Sequence, residues 1–272
     1  MAIRNGKELI MVNEKYHGLG TAPSVIRELF AYGLQQAKVV GKENVYDYSL
    51  GNPSIPAPAK VNETIKKLVD TEDSIQLHGY SMAPGFENVR QAIADNLNER
   101  FGVNAKANEL FMTCGCAPAL VSVAHALTTS PEDEFVAIAP FFPEYNVFFT
   151  CAGAKLTVVP ADTVHFQIDM DALEKTINEH SVAVVINSPN NPSGVVYTEG
   201  TLKAIAELLD RKSKEYGHPI YIIADEPYRE LVYDGVKVTF IPTVYDNTIV
   251  CYSWSKSLSL PGERIGYVYV PE

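Results

Sequence analysis

Thr248-Ile249-Val250-Cys251-Tyr252-Ser253-Trp254-Ser255-Lys256 is an apolar run that closes on two hydroxyls and a lysine, and Arg264 follows eight residues later. A short apolar run of this length reads as a buried strand. Polar residues just after such a strand stand at the carboxyl end of a sheet, where open parallel sheets bind ligands. The segment therefore sets one amine and one fixed cation at the mouth of a sheet. A lysine held there can form an imine with an aldehyde, while a serine hydroxyl and an arginine fork bind a phosphate. A lysine after a strand is ordinarily only solvated, so the reading depends on what the other strand ends bring.

Upstream, apolar runs at 182–187, 220–224 and 248–253 alternate with amphipathic stretches, the pattern of parallel βαβ units. Between the first two, Leu202, Ile205, Leu209 and Tyr216 recur at helical spacing and Gly217 closes the element, predicting a helix over 200–216. Phe86, Val89, Ile93, Leu97 and Phe101 predict another, stopped by Gly102. A short strand, Leu110-Phe111-Met112-Thr113, comes next, and Pro118 reads as the first residue of a helix over 118–128. The turn Gly115-Cys116-Ala117 then ends at a helix N-terminus. The expected fold class is α/β, a large domain with a mostly parallel sheet flanked by helices. Residues 1–50, with a helix expected at 24–40 from Val25, Ile26, Leu29, Phe30 and Ala37, are not expected to join that sheet, and another strand is expected within the C-terminal stretch 265–272.

Composition narrows the function classes. A chain of 272 residues can bury about three quarters of its unfolded surface, and 46% hydrophobic with 20% charged residues is ordinary for a soluble globular protein. The net charge of -11, with the basic residues scattered, repels a polyanion, so nucleic acid is not an expected partner. No apolar run approaches the roughly 18 residues of a membrane helix, and residues 1–8 are polar without a signal-peptide core; a cytoplasmic location is expected, with no membrane partner. Cys114, Cys116, Cys151 and Cys251 are too few for a disulfide scaffold. Cys114-Gly115-Cys116 lacks the C-x-x-C spacing of a metal or redox pair, so no metal is expected.

Three sets of polar residues follow apolar runs in order: Asn187 to Gly194, Asp225-Glu226-Pro227-Tyr228, and the lysine segment. Together they suit a phosphorylated pyridine aldehyde, pyridoxal 5'-phosphate. Asp225 against the ring nitrogen keeps it protonated, and such a pair at about 4 Å is worth roughly 4 kcal/mol at an effective dielectric of 20. A protonated ring is an electron sink. Asn191 and Tyr228 can bond the ring's phenolic oxygen. The backbone around Cys116 and Ala117, with Ser253 and Arg264, offers donors for phosphate, and Phe142 could stack on the ring.

These residues resemble the class I/II aminotransferases of fold-type I, aspartate aminotransferase-like sequences among them. Asn191-Pro192-Ser193-Gly194, Asp225-x-x-Tyr228, Ser253-x-Ser255-Lys256 and Arg264 match that family's signatures in order and spacing, and the likeness runs from about Gly51 to Gly266. The resemblance implies that Lys256 is the Schiff-base lysine and proton shuttle, Asp225 the pyridine-nitrogen partner, Asn191 and Tyr228 the O3' contacts, and Ser253 and Arg264 phosphate ligands. Gly115, Cys116 and Ala117 would form the phosphate turn, and Phe142 stands where the family has an aromatic ring over the cofactor. Tyr80-x-x-x-x-Gly85-x-x-x-x-Arg90 is similar to the segment whose tyrosine reaches the phosphate of the neighbouring subunit, implying a homodimer; Gly51-Asn52-Pro53 is similar to the loop over the substrate, which Gly51 and Asn191 would contact. By this resemblance residues 1–50 belong to a small domain, 51–272 form the large cofactor-binding domain, and the C-terminal part of the small domain is absent.

Two departures stand out. Ala117 replaces a common hydroxyl in the phosphate turn, so the backbone there must supply more. No arginine follows Arg264 to grip a substrate α-carboxylate. The function expected is transamination between an amino acid and a 2-oxo acid, ping-pong through the Lys256 Schiff base. One alternative keeps the cofactor and eliminates the β substituent of a sulfur amino acid, as C-S lyases do. Another is a non-enzymatic cofactor-sensing domain, for which residues 1–50 are too few and too mixed in charge to supply a winged helix.

Overall fold

The computed structural model describes residues 13–272 and the backbone of 3–4 and 7–8. It divides into two compact units, Met1–Pro53 and Ser54–Glu272. In the first, β1 (Ile3–Arg4) and β2 (Lys7–Glu8) pair antiparallel, and α1 (Glu14–Thr21) and α2 (Val25–Val40) follow. The Asn13 side chain caps α1 by accepting from Lys15 N at 3.0 Å. Helix α2 answers the expectation at 24–40. The side chains of residues 1–8, read above as lacking a signal-peptide core, lie outside the described residues.

The second unit holds α3 (Ala59–Thr71), α4 (Ser74–His78), α5 (Glu87–Phe101), β3 (Leu110–Thr113), α6 (Cys116–Leu127), β4 (Glu134–Ile138), α7 (Glu144–Cys151), β5 (Lys155–Val159), α8 (Met170–Thr176), β6 (Ser181–Asn187), α9 (Glu199–Tyr216), β7 (Tyr221–Asp225), β8 (Thr248–Ser253), α10 (Trp254–Ser257) and β9 (Gly266–Tyr269). The seven strands lie in the order β3-β9-β8-β7-β6-β4-β5. Strands β8, β7, β6, β4 and β5 run parallel, and β9 is antiparallel to both its neighbours.

Alternation along the central strands builds two cores. Val184, Ile186, Ile222, Ala224 and Val250 join one cluster with residues of α5 and α9; Ala183, Val185, Ile223, Ile249 and Cys251 join the other with residues of α6 and α7. Helices therefore cover both faces, which is why these strands read as continuous apolar runs. Each large aliphatic side chain so buried contributes about 1.5–3 kcal/mol. No helix among the described residues is long and apolar enough to cross a membrane.

One boundary differs from expectation. Helix α6 starts at Cys116, with Gly115 as its N-cap, so Pro118 is the third helical residue and not the first. The shift costs nothing, because all N-H groups of a first turn lack helical acceptors and proline is tolerated throughout it.

Candidate active site

Register brings the strand ends together: Asn187 lies opposite Asp225, and Asp225 opposite Cys251, with Ser253 two residues further along β8. Asn187 ties the first two ends, since its Nδ2 donates to the Asp225 carbonyl at 2.7 Å and its Oδ1 accepts from Asn191 N at 2.6 Å. Asn190 Oδ1 accepts from the Ser193 hydroxyl at 2.8 Å and holds the following turn. The Asn191 side chain is thereby presented from a pinned backbone.

Asp225 is only 5% exposed. Its Oδ2 accepts from the Tyr145 hydroxyl at 2.5 Å and its Oδ1 from the Cys116 thiol at 2.8 Å. Burial raises the Asp225 pKa, and the two hydrogen bonds pull the other way. Burial and the neighbouring carboxylate push Tyr145 and Cys116 well up, so both remain neutral donors. Tyr228 is pushed up to about 12, chiefly by burial and then by Asp225, with the Asn191 side chain opposing.

The lysine turn is short. Ser253 caps α10, its Oγ accepting from Ser255 N at 3.1 Å. Lys256 is half-buried, and burial followed by the charge of Arg264 lowers its pKa, favouring the neutral amine. Arg264, on the exposed side, is held through Nη1 to the Pro261 carbonyl at 2.9 Å. Its guanidinium lies over Gly115: a Cβ built on Gly115, whose φ is +97°, would meet Arg264 Nη2 at 2.6 Å. A guanidinium thus faces the N-terminus of a 12-residue helix, where free N-H groups and the helix dipole also favour an anion.

One cavity of about 170 Å³ is lined by Cys116, Ala117, Phe142, Asn191, Asp225, Tyr228, Ser253, Lys256 and Arg264. The donor set fits pyridoxal phosphate: a buried acid bonded to neutral donors for a cationic ring nitrogen, an amine of lowered pKa for an aldehyde, and a cation at a helix start for a phosphate. Gly115 flanks the cavity beneath Arg264. Tyr80 is fully exposed in this chain and is not among the lining residues; Gly51 belongs to the first unit. Sequence reasoning missed Tyr145, although it follows Phe142 at helical spacing and contacts its ring edge-on at 5.9 Å. It also missed that the Cys116 side chain, and not only its backbone, serves the site.

The family described as aminotransferase class I and II matches residues 42–272, and its members depend on pyridoxal phosphate. A probable N-acetyl-LL-diaminopimelate aminotransferase of Bacillus subtilis is 29% identical over 90% of this chain and 61% of its own length. A probable aspartate/prephenate aminotransferase of Aquifex aeolicus is 31% identical over 84% of this chain and 57% of its own. The crystal structure of an aminotransferase from Eubacterium rectale superposes with a TM-score of 0.94 at 61% identity, covering 97% of this chain and 66% of that one. Aspartate aminotransferase from Thermus thermophilus with maleate shares the fold, with a TM-score of 0.81 at 24% identity. The chain spans about three fifths of the length of the two curated relatives. With its family signatures carried on one cavity of this fold, the chain belongs to the class I and II aminotransferases.

Proposed function

We propose that this chain serves transamination between an α-amino acid and a 2-oxo acid with pyridoxal phosphate as cofactor. The observation that carries the reading is that buried Asp225 and half-buried Lys256 line the same cavity, with Arg264 and the start of α6 at its rim. When bound, pyridoxal phosphate supplies an aldehyde carbon for amines and a protonated ring that withdraws electrons from the substrate Cα. Asp225 would hold the proton at the ring nitrogen, and Tyr145 and Cys116 would orient its carboxylate. Asn191 and Tyr228 would orient the ring through its phenolic oxygen. The neutral Lys256 Nζ would anchor the aldehyde and, released when the substrate amine takes its place there, would take the Cα proton; the first 2-oxo acid would leave before the second enters, giving ping-pong kinetics. Arg264, Ser253 and the N-H groups of Cys116 and Ala117 would hold the phosphate.

The relatives bear the names of aminotransferases, which supports transfer over β-elimination and over a non-catalytic sensor. We further assign residues 1–50 to a small domain and 51–272 to the cofactor-binding domain. A homodimer is part of the same reading, supported by the full exposure of Tyr80, with Gly51 covering the substrate. Among the described residues no disulfide links the four cysteines, as in a reducing compartment, which supports the cytoplasm. Absorbance scans before and after borohydride, with peptide mapping, test the proposal. The expected result is a reduced adduct on Lys256; a Lys256→Ala variant that still transaminates would end it.

A further inference from the structure

Tyr252 precedes Ser253 and so projects from the opposite face of β8, away from the cofactor cavity and into a second cleft with Trp254, Tyr267 and Arg229. Its ring is clamped there: stacked on Tyr267 at 5.1 Å, edge-on to Trp254 at 5.3 Å, and under the Arg229 guanidinium at 4.5 Å. With 4% exposure the hydroxyl has little freedom. It donates to Glu230 Oε2 at 2.9 Å and, its proton so used, accepts from Ser257 Oγ at 3.0 Å. Glu230 is itself held by Arg100 of α5 at 3.0 Å.

The two partners matter for what they adjoin. Ser257 follows Lys256 in α10, and Glu230 lies two residues after Tyr228, in a turn closed by Leu231 N donating to the Tyr228 carbonyl at 2.8 Å. Helix α10 has only four residues. So short a helix has almost no stability of its own, and side-chain ties must fix it.

Resting on the cofactor reading above, we propose that Tyr252 is a positioning residue whose hydroxyl latches the turn carrying Lys256 to the turn carrying Tyr228 from behind the sheet. The latch sets amine and phenol relative to one another without touching either. It divides labour along β8: Ser253 faces the site, and Tyr252 holds the site's two loops in register.

Trp254 is the only tryptophan of the chain and sits in α10, so its emission reports on the lysine turn with no cofactor present. The test compares the wild-type 272-residue chain with Tyr252→Phe, which keeps the ring and removes the oxygen. Expected are a melt that stays cooperative, faster acrylamide quenching of Trp254 in the unloaded protein, and about tenfold slower formation of a borohydride-trapped adduct between added pyridoxal phosphate and Lys256, the scale of a small misplacement of a reacting group. Quenching and adduct formation equal to wild type would overturn the latch. If Tyr252→Phe does not fold, Ser257→Ala, which leaves Tyr252 in place, carries the same expectation and the same refutation. Absence of any Lys256 adduct in the wild-type protein would count against the cofactor reading instead, while Trp254 quenching would still decide the latch.

Discussion

Gly115→Ala separates the fold's need for a glycine from the site's need for one. Gly115 has φ +97°, a backbone conformation that costs a residue with a Cβ about 1–3 kcal/mol. The new methyl would also stand 2.6 Å from Arg264 Nη2 and 3.1 Å from its Cζ. The far end of an exposed arginine moves at little cost to folding, but it then leaves the start of α6. Lost charge-assisted hydrogen bonds to a phosphate are worth about 1.5–3 kcal/mol, which weakens pyridoxal phosphate binding by about 10- to 150-fold. Gly153→Ala is the matched control, because Gly153 has φ +99° and nothing within 4 Å of its would-be Cβ. Both variants should lose comparable stability in calorimetry, and only Gly115→Ala should lose affinity in a cofactor titration. If Gly115→Ala binds cofactor within about twofold of wild type, a margin of about 0.4 kcal/mol, the role given to Arg264 over the helix start is wrong.

Two further outcomes follow from the same geometry. Asp225→Asn keeps the shape but removes the charge that we propose pairs with the ring nitrogen; the lost pairing of about 4 kcal/mol corresponds to a loss of about a thousandfold in turnover, and a kcat within about tenfold of wild type would contradict it. In the unloaded protein the Lys256 amine should react with an acylating reagent with a pH midpoint below that of an ordinary lysine, because burial and Arg264 disfavour its protonated form. Arg264→Met removes the second cause alone, so the midpoint should rise part of the way back, as followed by mass spectrometry; an unchanged midpoint would exclude the electrostatic coupling.

Much of the site was legible because its residues follow their strands directly. Asp225 ends a buried apolar run and Asn191 and Lys256 stand a few residues beyond theirs, and parallel strands in one sheet bring such ends to one edge. Helices α5 and α9 were legible from periodicity and their closing glycines. The strand at Glu134–Ile138 went unread although its residues are as apolar as those of β7, and the inversion of β9 left no local signal. Tyr145 was missed for a related reason. It lies eighty residues from Asp225 in the chain, and only the packing of α7 beneath the sheet brings its hydroxyl to that carboxylate.

By itself the sequence determined which residues are chemically able to act and where the clearly periodic helices and the apolar strands that bear them lie, since periodicity, glycine stops and side-chain chemistry are properties of neighbours along the chain. Tertiary structure alone decided strand order, the neutral donors on Asp225, the seat of Arg264 over Gly115 and the bridge from Tyr252 to Ser257 and Glu230. Each of these is a contact between distant segments, whose closure depends on the whole core packing at once.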